Sequence, residues 1–145
     1  MTPLLRNATA ADMQAIGDLL ESNGLPTSDL ASSGARFTVA CEGDRIIGAG
    51  ALQRFGKAAL LRSVAVDPAQ RGKGLGRHIV KALENQARAS GVTQLVLLTQ
   101  SARQFFEHQD YHQVDRAQVP KALQASAEFR SLCPASAECM TKLLR

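Results

Sequence analysis

Aromatic residues are scarce in this 145-residue chain: they make up 4% of it, tryptophan is absent, and Tyr111 is the single tyrosine. Proteins that bind single-stranded nucleic acid without sequence preference stack its bases on aromatic side chains, so the scarcity disfavours that class of partner. Long apolar runs are missing too, and no stretch approaches the roughly 20 residues that a membrane-spanning helix needs. The sequence therefore predicts neither a nucleic-acid-binding protein nor a membrane protein.

Cysteine is also rare, and its three positions, Cys41, Cys133 and Cys139, form an odd number. An odd count argues against a disulfide framework and fits a reducing compartment. The N-terminal stretch MTPLLRNATAADMQ lacks the long apolar centre of a secretory signal. We therefore expect a soluble, cytoplasmic protein.

The residues that are present have an ordinary globular balance, with 45% hydrophobic and 21% charged. The length suits one domain with a substantial core, so we predict a single domain over residues 1–145. The formal net charge of +4 favours anionic partners. It does not distinguish nucleic acid from a phosphorylated small molecule.

Alternating and continuous apolar runs predict strands, and 3.6-residue spacing predicts helices. Strands are expected at residues 4–6, 36–56 (a hairpin that turns at Gly43), 58–66, 93–99, 111–114 and 137–144. Helices are expected at residues 13–20, 75–90 and 101–109. About 20 residues connect the last two strands, and proline punctuates them. The order β-α-β-β-β-α-β-α-β-β predicts a mixed sheet with helices packed on it, an α/β or α+β fold.

The stretch QRGKGLG, residues 70–76, lies between a predicted strand and a predicted helix. The first N–H groups of a helix lack partners within it, and its dipole is positive at that end. Glycines without a Cβ let a ligand approach those groups closely. The glycines are Gly72, Gly74 and Gly76, and the nearby cations are Arg71, Lys73 and Arg77. Together they predict an anion site suited to a phosphate or pyrophosphate.

Two familiar phosphate loops do not fit this stretch. A P-loop needs Ser or Thr after its lysine, whereas Lys73 is followed by Gly74. A dinucleotide-binding fingerprint needs G-x-G-x-x-G, and the glycines here are one residue too close.

The segment SVAVDPAQRGKGLGRHIVKAL, residues 63–83, resembles the central motif of the GNAT superfamily of acetyl-CoA-dependent N-acetyltransferases. Its signature is Arg71-x-x-Gly74-x-Gly76, and residues 102–111 resemble the late helix-to-strand segment of the superfamily. The resemblance covers essentially the whole chain. It implies a mixed, mostly antiparallel sheet flanked by helices, and acetyl-CoA as the co-substrate. No metal is expected, because His108 and His112 straddle a helix end.

The resemblance also implies which residues would contact each part of the cofactor. The backbone of residues 71–76, which includes Leu75, would hold the pyrophosphate of coenzyme A. Val64, Ala65 and Val66 would face the pantetheine arm, with the Val64 N–H polarising the acetyl carbonyl. Thr99 falls where these enzymes often place a polar residue near the cofactor. A thioester is already activated, so positioning and oxyanion stabilisation suffice for direct transfer to an amine.

The sequence departs from the family pattern at two functional positions. Many members use a late-helix tyrosine as the proton donor to the thiolate, and that position is Phe106 here. Tyr111 is therefore the candidate donor, with core packing as the alternative. The strand at 58–66 lacks the glutamate that some members use as a base. Arg62 could pair with a substrate carboxylate or form a strand-face salt bridge, and Glu42 or a water chain could act as the base.

The stretch AEFRSLCPASAECM, residues 127–140, resembles a branch of small GNAT proteins. That branch includes arsenic-resistance-type N-acetyltransferases and is similar to the acetyltransferase domain of N-acetylglutamate synthases. The resemblance implies a small amine acceptor, either an amino acid or an arsenic-containing analogue. Arg130, Ser131 and Cys133 would line the acceptor pocket. The alternatives are a loop with a buried cysteine, or direct binding of a soft arsenical by Cys133 and Cys139.

These observations predict an N-acetyltransferase that moves acetyl from acetyl-CoA to a small amine by direct attack in a ternary complex. The alternative from another class is a non-catalytic acyl-CoA-binding sensor or regulatory module. Since GNAT proteins are often dimers, the resemblance leaves a homodimer open.

Overall fold

The computed structural model describes residues 3–30, 32–132 and 136–144, with the backbone alone for residues 131 and 132. Seven strands in this part of the chain form one sheet, in the order β1-β2-β3-β4-β5-β7-β6. The strands are β1 (Leu4–Asn7), β2 (Arg36–Glu42), β3 (Arg45–Phe55), β4 (Ala58–Val66), β5 (Gln94–Thr99), β6 (His112–Gln113) and β7 (Glu138–Leu143). The α-helices are α1 (Met13–Ser22), α2 (Leu75–Ala89), α3 (Arg103–Glu107) and α4 (Lys121–Gln124).

Each pair of neighbouring strands is antiparallel except β4 and β5, which are parallel. Parallel neighbours need a crossover connection, and α2 supplies it. The predicted fold class, a mixed and mostly antiparallel sheet flanked by helices, is confirmed. Among the described residues, no helix has both the length and the apolar character needed to cross a membrane.

Helices α1 and α2 cover opposite faces of the sheet. Because neighbouring residues of a strand point to opposite sides, adjacent residues pack under different helices. On β2, Val39 packs in the cluster of α1, and the next residue, Ala40, packs in the cluster of α2. The apolar face predicted for α2 is buried, and it comprises Leu75, Ile79, Val80, Leu83 and Ala87.

The late connection is more ordered than the sequence suggested. It contains a 3-10 turn at Arg116–Gln118, helix α4 and a π-helical turn at Glu128–Leu132. Leu123 and Phe129 of this segment pack against β4 and β5 in a third apolar cluster. Each of these pieces is about one turn long, so none shows the periodicity that predicts a helix.

Gly50 of β3 lies directly under α2. A Cβ at this position would lie 2.8 Å from Leu83 Cδ1 and 2.9 Å from Ile79 Cγ2. Both side chains are fully buried and cannot swing aside. Gly50→Ala is therefore expected to lower the free energy of unfolding by about 1–3 kcal/mol, as overpacking does, measured by urea denaturation.

Gly17→Ala in α1 is the matched control. Its new Cβ would lie 3.6 Å from Leu30 Cδ1, an ordinary contact. Because glycine is a poor helix former, this change is expected to stabilise the protein by roughly 0.5–1 kcal/mol. If Gly50→Ala and Gly17→Ala changed the free energy of unfolding in the same direction, the packing argument would be contradicted.

Candidate active site

The site is a cleft that opens where β4 and β5 part. The two strands pair only over Ala58–Leu60 and Gln94–Val96, although both continue beyond that ladder. Residues 61–66 and 97–99 then line opposite sides of a cleft of about 870 Å³. The edge of β4 that faces β5 is thereby available to a ligand, and exposed strand edges bind extended chains through their backbone groups.

A β-bulge shapes the β4 wall of this cleft. The register with β3 shifts between the pairs Ala49–Ala65 and Ala51–Arg62. Ser63, inside the bulge, has a φ of 58°, a left-handed conformation that costs an L-residue roughly 1–2 kcal/mol. Bulges re-aim side chains and end pairing next to active sites. Here the bulge immediately precedes Val64, which lines the cleft.

The glycine loop forms the other end of the cleft. Gly74 is the N-cap of α2 with a φ of 80°, a conformation that glycine adopts without a steric penalty. Arg71, which also lines the cleft, donates from Nη2 to Asn23 Oδ1 at 2.6 Å and is thereby tied to the end of α1. The positive end of α2 and the guanidinium of Arg71 therefore border the same space.

The structure brings most of the predicted cofactor-binding residues to this cleft. Those that line it are Val64, Ala65, Val66, Arg71, Gly72, Gly74, Leu75, Gly76 and Thr99. Lys73 is in the loop but does not line the cleft, and its Nζ lies 3.4 Å from Gln70 Oε1. The Thr99 hydroxyl accepts a hydrogen bond from the Ala102 N–H at 2.9 Å, so it caps the turn before α3.

Tyr111 does not line the cleft. Its side chain is 3% exposed, and its hydroxyl donates to Glu84 Oε2 at 2.9 Å. Burial, with the Glu84 carboxylate beside it, raises the pKa of Tyr111 far above its usual range. Its ring packs edge-on against Phe106, which does line the cleft and carries no hydroxyl. The proton-donor role predicted for Tyr111 is therefore corrected to the core-packing alternative.

Arg62 lines the cleft, but its guanidinium is already engaged. Nη1 and Nη2 donate to the two carboxylate oxygens of Asp29, each at 2.7 Å, and Nη1 also donates to Gln53 Oε1 at 3.1 Å. Its Nε lies 3.6 Å from Glu128 Oε1. Because Asp29 fills the bidentate position, the predicted pairing with a substrate carboxylate is corrected to a buried salt bridge.

Glu128 is the cleft residue that the sequence analysis missed. It is 4% exposed, and burial raises its pKa to about 7, with Arg62 opposing the rise and Asp29 adding to it. The resemblance of residues 127–140 points to Arg130, Ser131 and Cys133 as acceptor residues and not to Glu128. Its neighbours in the fold, Asp29 and Arg62, are far away along the chain, so no local pattern could have revealed it.

The acceptor residues predicted in the C-terminal stretch are not assembled in the cleft. Arg130 is exposed and does not line the cleft, while the Ser131 side chain and Cys133 lie outside the described residues. Cys139 is buried among apolar side chains, and burial raises its pKa to about 11. A soft arsenical needs a thiolate, so this burial opposes the Cys133–Cys139 alternative.

Two other predictions concern charged residues. Glu42 is exposed and does not line the cleft, so the structure does not favour it as the base. Within residues 3–30, 32–132 and 136–144, no group of three or more His, Cys, Asp or Glu side chains is arranged to hold a metal ion.

Comparison with known proteins agrees with this fold. A family model described as an acetyltransferase (GNAT) domain matches residues 33–113. An amino-acid acetyltransferase of Vibrio cholerae is 28% identical over 127 residues, which cover 81% of this chain and 28% of that protein. The chain thus spans under a third of the length of this curated relative.

Solved structures show the same similarity. N-acetylglutamate synthase from Neisseria gonorrhoeae, complexed with coenzyme A and N-acetyl-glutamate, superposes with a TM-score of 0.86 at 19% identity, covering 100% of this chain and 36% of that one. Rv2747 from Mycobacterium tuberculosis, in complex with coenzyme A, superposes with a TM-score of 0.83 at 26% identity, covering 99% of this chain and 100% of that one.

The parted strands, the bulge and the glycine loop at a helix N-terminus occur in a fold that this chain shares with the solved structures above. The chain belongs to the GNAT acetyltransferase family, whose model covers more than half of its residues.

Proposed function

We propose that the protein transfers the acetyl group of acetyl-CoA to the amine of a small molecule of the amino-acid class. The observation that carries the proposal is that the parted β4 edge and the N-terminus of α2 border one continuous cleft. A pyrophosphate bound at the glycine loop lets the pantetheine arm run along β4 toward the bulge. The names of the relatives, an amino-acid acetyltransferase and an N-acetylglutamate synthase, support an amino-acid acceptor.

The proposed chemistry is direct attack in a ternary complex. The acceptor nitrogen adds to the thioester carbonyl, and the Val64 N–H stabilises the oxygen that gains negative charge. Collapse of that adduct breaks the C–S bond and releases the coenzyme A thiolate. The described cleft presents no tyrosine hydroxyl, so we propose that the thiolate takes its proton from solvent. A thiolate is a tolerable leaving group, since a free thiol has a pKa near about 8.5.

An acyl-CoA sensor without turnover is the second candidate function, favoured by the phenyl ring of Phe106 in place of a hydroxyl. The proposal retains a cytoplasmic location, because the odd number of cysteines fits a reducing compartment.

Thiol release from acetyl-CoA across a panel of amines tests the proposal. The panel includes glutamate, other amino acids, and amino-acid analogues that carry arsenic or phosphorus. Turnover with at least one amine is the expected outcome, and an arsenic-bearing analogue as the best acceptor would identify the resistance-type branch. If no amine of the panel supports thiol release although calorimetry shows that acetyl-CoA binds, the protein is an acyl-CoA sensor and not an acetyltransferase.

A further inference from the structure

Glu128 is a buried carboxyl group in the cleft wall that the acetyl transfer described above does not use. Its Oε1 lies 3.6 Å from Arg62 Nε. Its other oxygen, Oε2, has no hydrogen-bond partner among the residues that the structure describes. Leaving a buried acceptor unsatisfied is destabilising, and more so when the group is charged. The position therefore favours a ligand that brings a hydrogen-bond donor.

The charges around Glu128 specify what kind of donor would suit it. Asp29 and Glu128 contribute two carboxylates, and Arg62 contributes one guanidinium. With all three ionised, the formal charge of the cluster is −2 + 1 = −1. Both Nη atoms of Arg62 already bond Asp29, so the guanidinium is committed mainly to that carboxylate. The complement of this cluster is a cationic N–H donor, and a protonated amine is such a group.

The backbone holds Glu128 in place. The residue begins the π-helical turn Glu128–Leu132, and such turns occur frequently at functional sites. The next residue, Phe129, is buried against Leu123 in the third apolar cluster. The Arg116 guanidinium lies 5.9 Å from the centroid of the Phe129 ring. Glu128 therefore lies in the cleft wall on a segment whose position core packing fixes.

We propose that Glu128 binds the ammonium group of the acceptor and takes from it the proton that must leave before the nitrogen can attack the thioester. This inference rests on the proposed function and supplies the base that β4 lacks. The ammonium gives one proton to the Glu128 carboxylate, and the freed lone pair forms the C–N bond. The C–S bond then breaks and releases the coenzyme A thiolate. The nitrogen loses its second proton to solvent, and the thiolate takes up a proton from solvent. Glu128 returns its proton to solvent.

The electrostatic setting suits a base that works near neutral pH. Burial raises the pKa of Glu128 to about 7. The charged groups that act on it are Arg62 of β4, which lowers the pKa, and Asp29 of the segment after α1, which raises it. A general base is most effective when its pKa lies near the operating pH.

The first test replaces the base without changing its shape. With the best acceptor of the amine panel at pH 7.5, Glu128→Gln is expected to lower kcat by roughly 10²–10⁴-fold, the usual contribution of a general base. Coenzyme A affinity is expected to stay unchanged, which shows that the variant is folded. Glu42→Gln, at the exposed carboxylate outside the cleft, is the matched comparison and is expected to keep the rate.

The pH profile separates a proton acceptor from a merely structural residue. In the natural protein, kcat/KM is expected to fall as the pH drops through about 7. Glu128→Gln should lose the break near pH 7, because its rate then follows only the fraction of the acceptor amine that is unprotonated. Asp29→Asn removes a neighbouring negative charge, so the midpoint of the limb should move to lower pH. The Glu128→Gln defect should also shrink with an acceptor whose amine is already unprotonated at the assay pH.

The outcomes are distinguishable from those of the proposed function. If the natural protein releases no thiol with any amine, the proposed function is wrong and this inference is wrong with it. If the natural protein turns over and Glu128→Gln matches it, the inference is overturned while the acetyltransferase stands. If Glu128→Gln does not fold, the Asp29→Asn midpoint decides: a downward shift supports the inference, and an unmoved midpoint overturns it.

Discussion

Gly74→Asp is expected to weaken coenzyme A binding by roughly 10- to 1000-fold, measured by calorimetry. Gly74 precedes α2 and lines the cleft, so the new carboxylate would lie where the proposed pyrophosphate approaches the helix N-terminus. Two like charges about 4 Å apart repel by about 1–4 kcal/mol at effective dielectric constants between those of water and a protein surface. Each 1.4 kcal/mol is about tenfold in affinity.

The helix itself should tolerate this change. A Cβ at position 74 would meet only Arg77 Nη2, at 3.7 Å, and an acidic N-cap suits the helix dipole. The left-handed backbone at this position is one that Asp and Asn adopt more readily than other non-glycine residues. The free energy of unfolding should therefore change much less than the affinity.

Gly74→Asn is the matched control, because it has the same shape and backbone tolerance without the charge. Its affinity is expected to lie between those of the natural protein and Gly74→Asp. Raising the salt concentration should narrow the difference between the two variants, since ions screen exposed charges. Equal losses in both variants at low salt would show that crowding, and not repulsion, is responsible.

Arg62→Met is expected to lower the free energy of unfolding by about 3–5 kcal/mol, because the buried Glu128 and the partly buried Asp29 lose the cation that they share. Arg62 is 4% exposed and bonds Asp29 through both Nη atoms. For a domain of this size the melting temperature should drop by roughly 10–20 °C. Arg54→Met, at an exposed arginine of neighbouring β3, is the control and should stay within about 0.5 kcal/mol.

The Arg62→Met loss is expected to grow with pH. Burial raises the pKa of Glu128 from its ordinary 4.5 to about 7, and Arg62 opposes the rise. A carboxyl group whose pKa is raised in the folded state stabilises that state below pH 4.5, and this contribution is lost as the pH rises through the folded value. Without Arg62 the pKa of Glu128 in the folded state is higher still, so the folded state of the variant continues to lose stability at higher pH.

Denaturation of both proteins at pH 5 and pH 8 checks this coupling. The difference in unfolding free energy between Arg62→Met and the natural protein should be larger at pH 8. Replacing the cluster as a whole by Asp29→Asn, Arg62→Met and Glu128→Gln should recover much of the loss, because no buried charge is then left unpaired. A difference independent of pH would show that Glu128 is not coupled to Arg62.

Local patterns in the sequence were sufficient for the elements that build the cofactor side of the cleft. The strand predicted at 58–66 matches β4 residue for residue, because its mostly apolar run ends at Asp67-Pro68. Helix α2 begins at Leu75 as predicted and ends at Ala89, one residue earlier than expected. The glycines before Leu75 mark the start of this helix, because a turn or a helix cap is where glycine is needed. The phosphate-type loop could therefore be predicted from the strand and the helix on either side of it in the chain.

The acceptor side could not be predicted in this way, because its residues meet only through the fold. The sequence makes Arg62 a candidate ligand for a substrate carboxylate, but in the fold Asp29 occupies its bidentate position. Tyr111 was a candidate proton donor until its hydroxyl was found bonded to Glu84 in the core. Glu128 is not among the acceptor residues predicted from residues 127–140, because what distinguishes it, the contact with Arg62 and the charge of Asp29, comes from distant parts of the chain.

The sequence by itself therefore determined the family, the order of the strands and of helices α1 to α3, and the loop expected to hold the pyrophosphate, since each depends on residues close together along the chain. Only the tertiary structure decided which charged side chains face the cleft and which partners they already have. Burial and pairing arise from segments as distant as Asp29, Arg62 and Glu128, and those contacts set the pKa of the carboxyl group proposed to receive the proton.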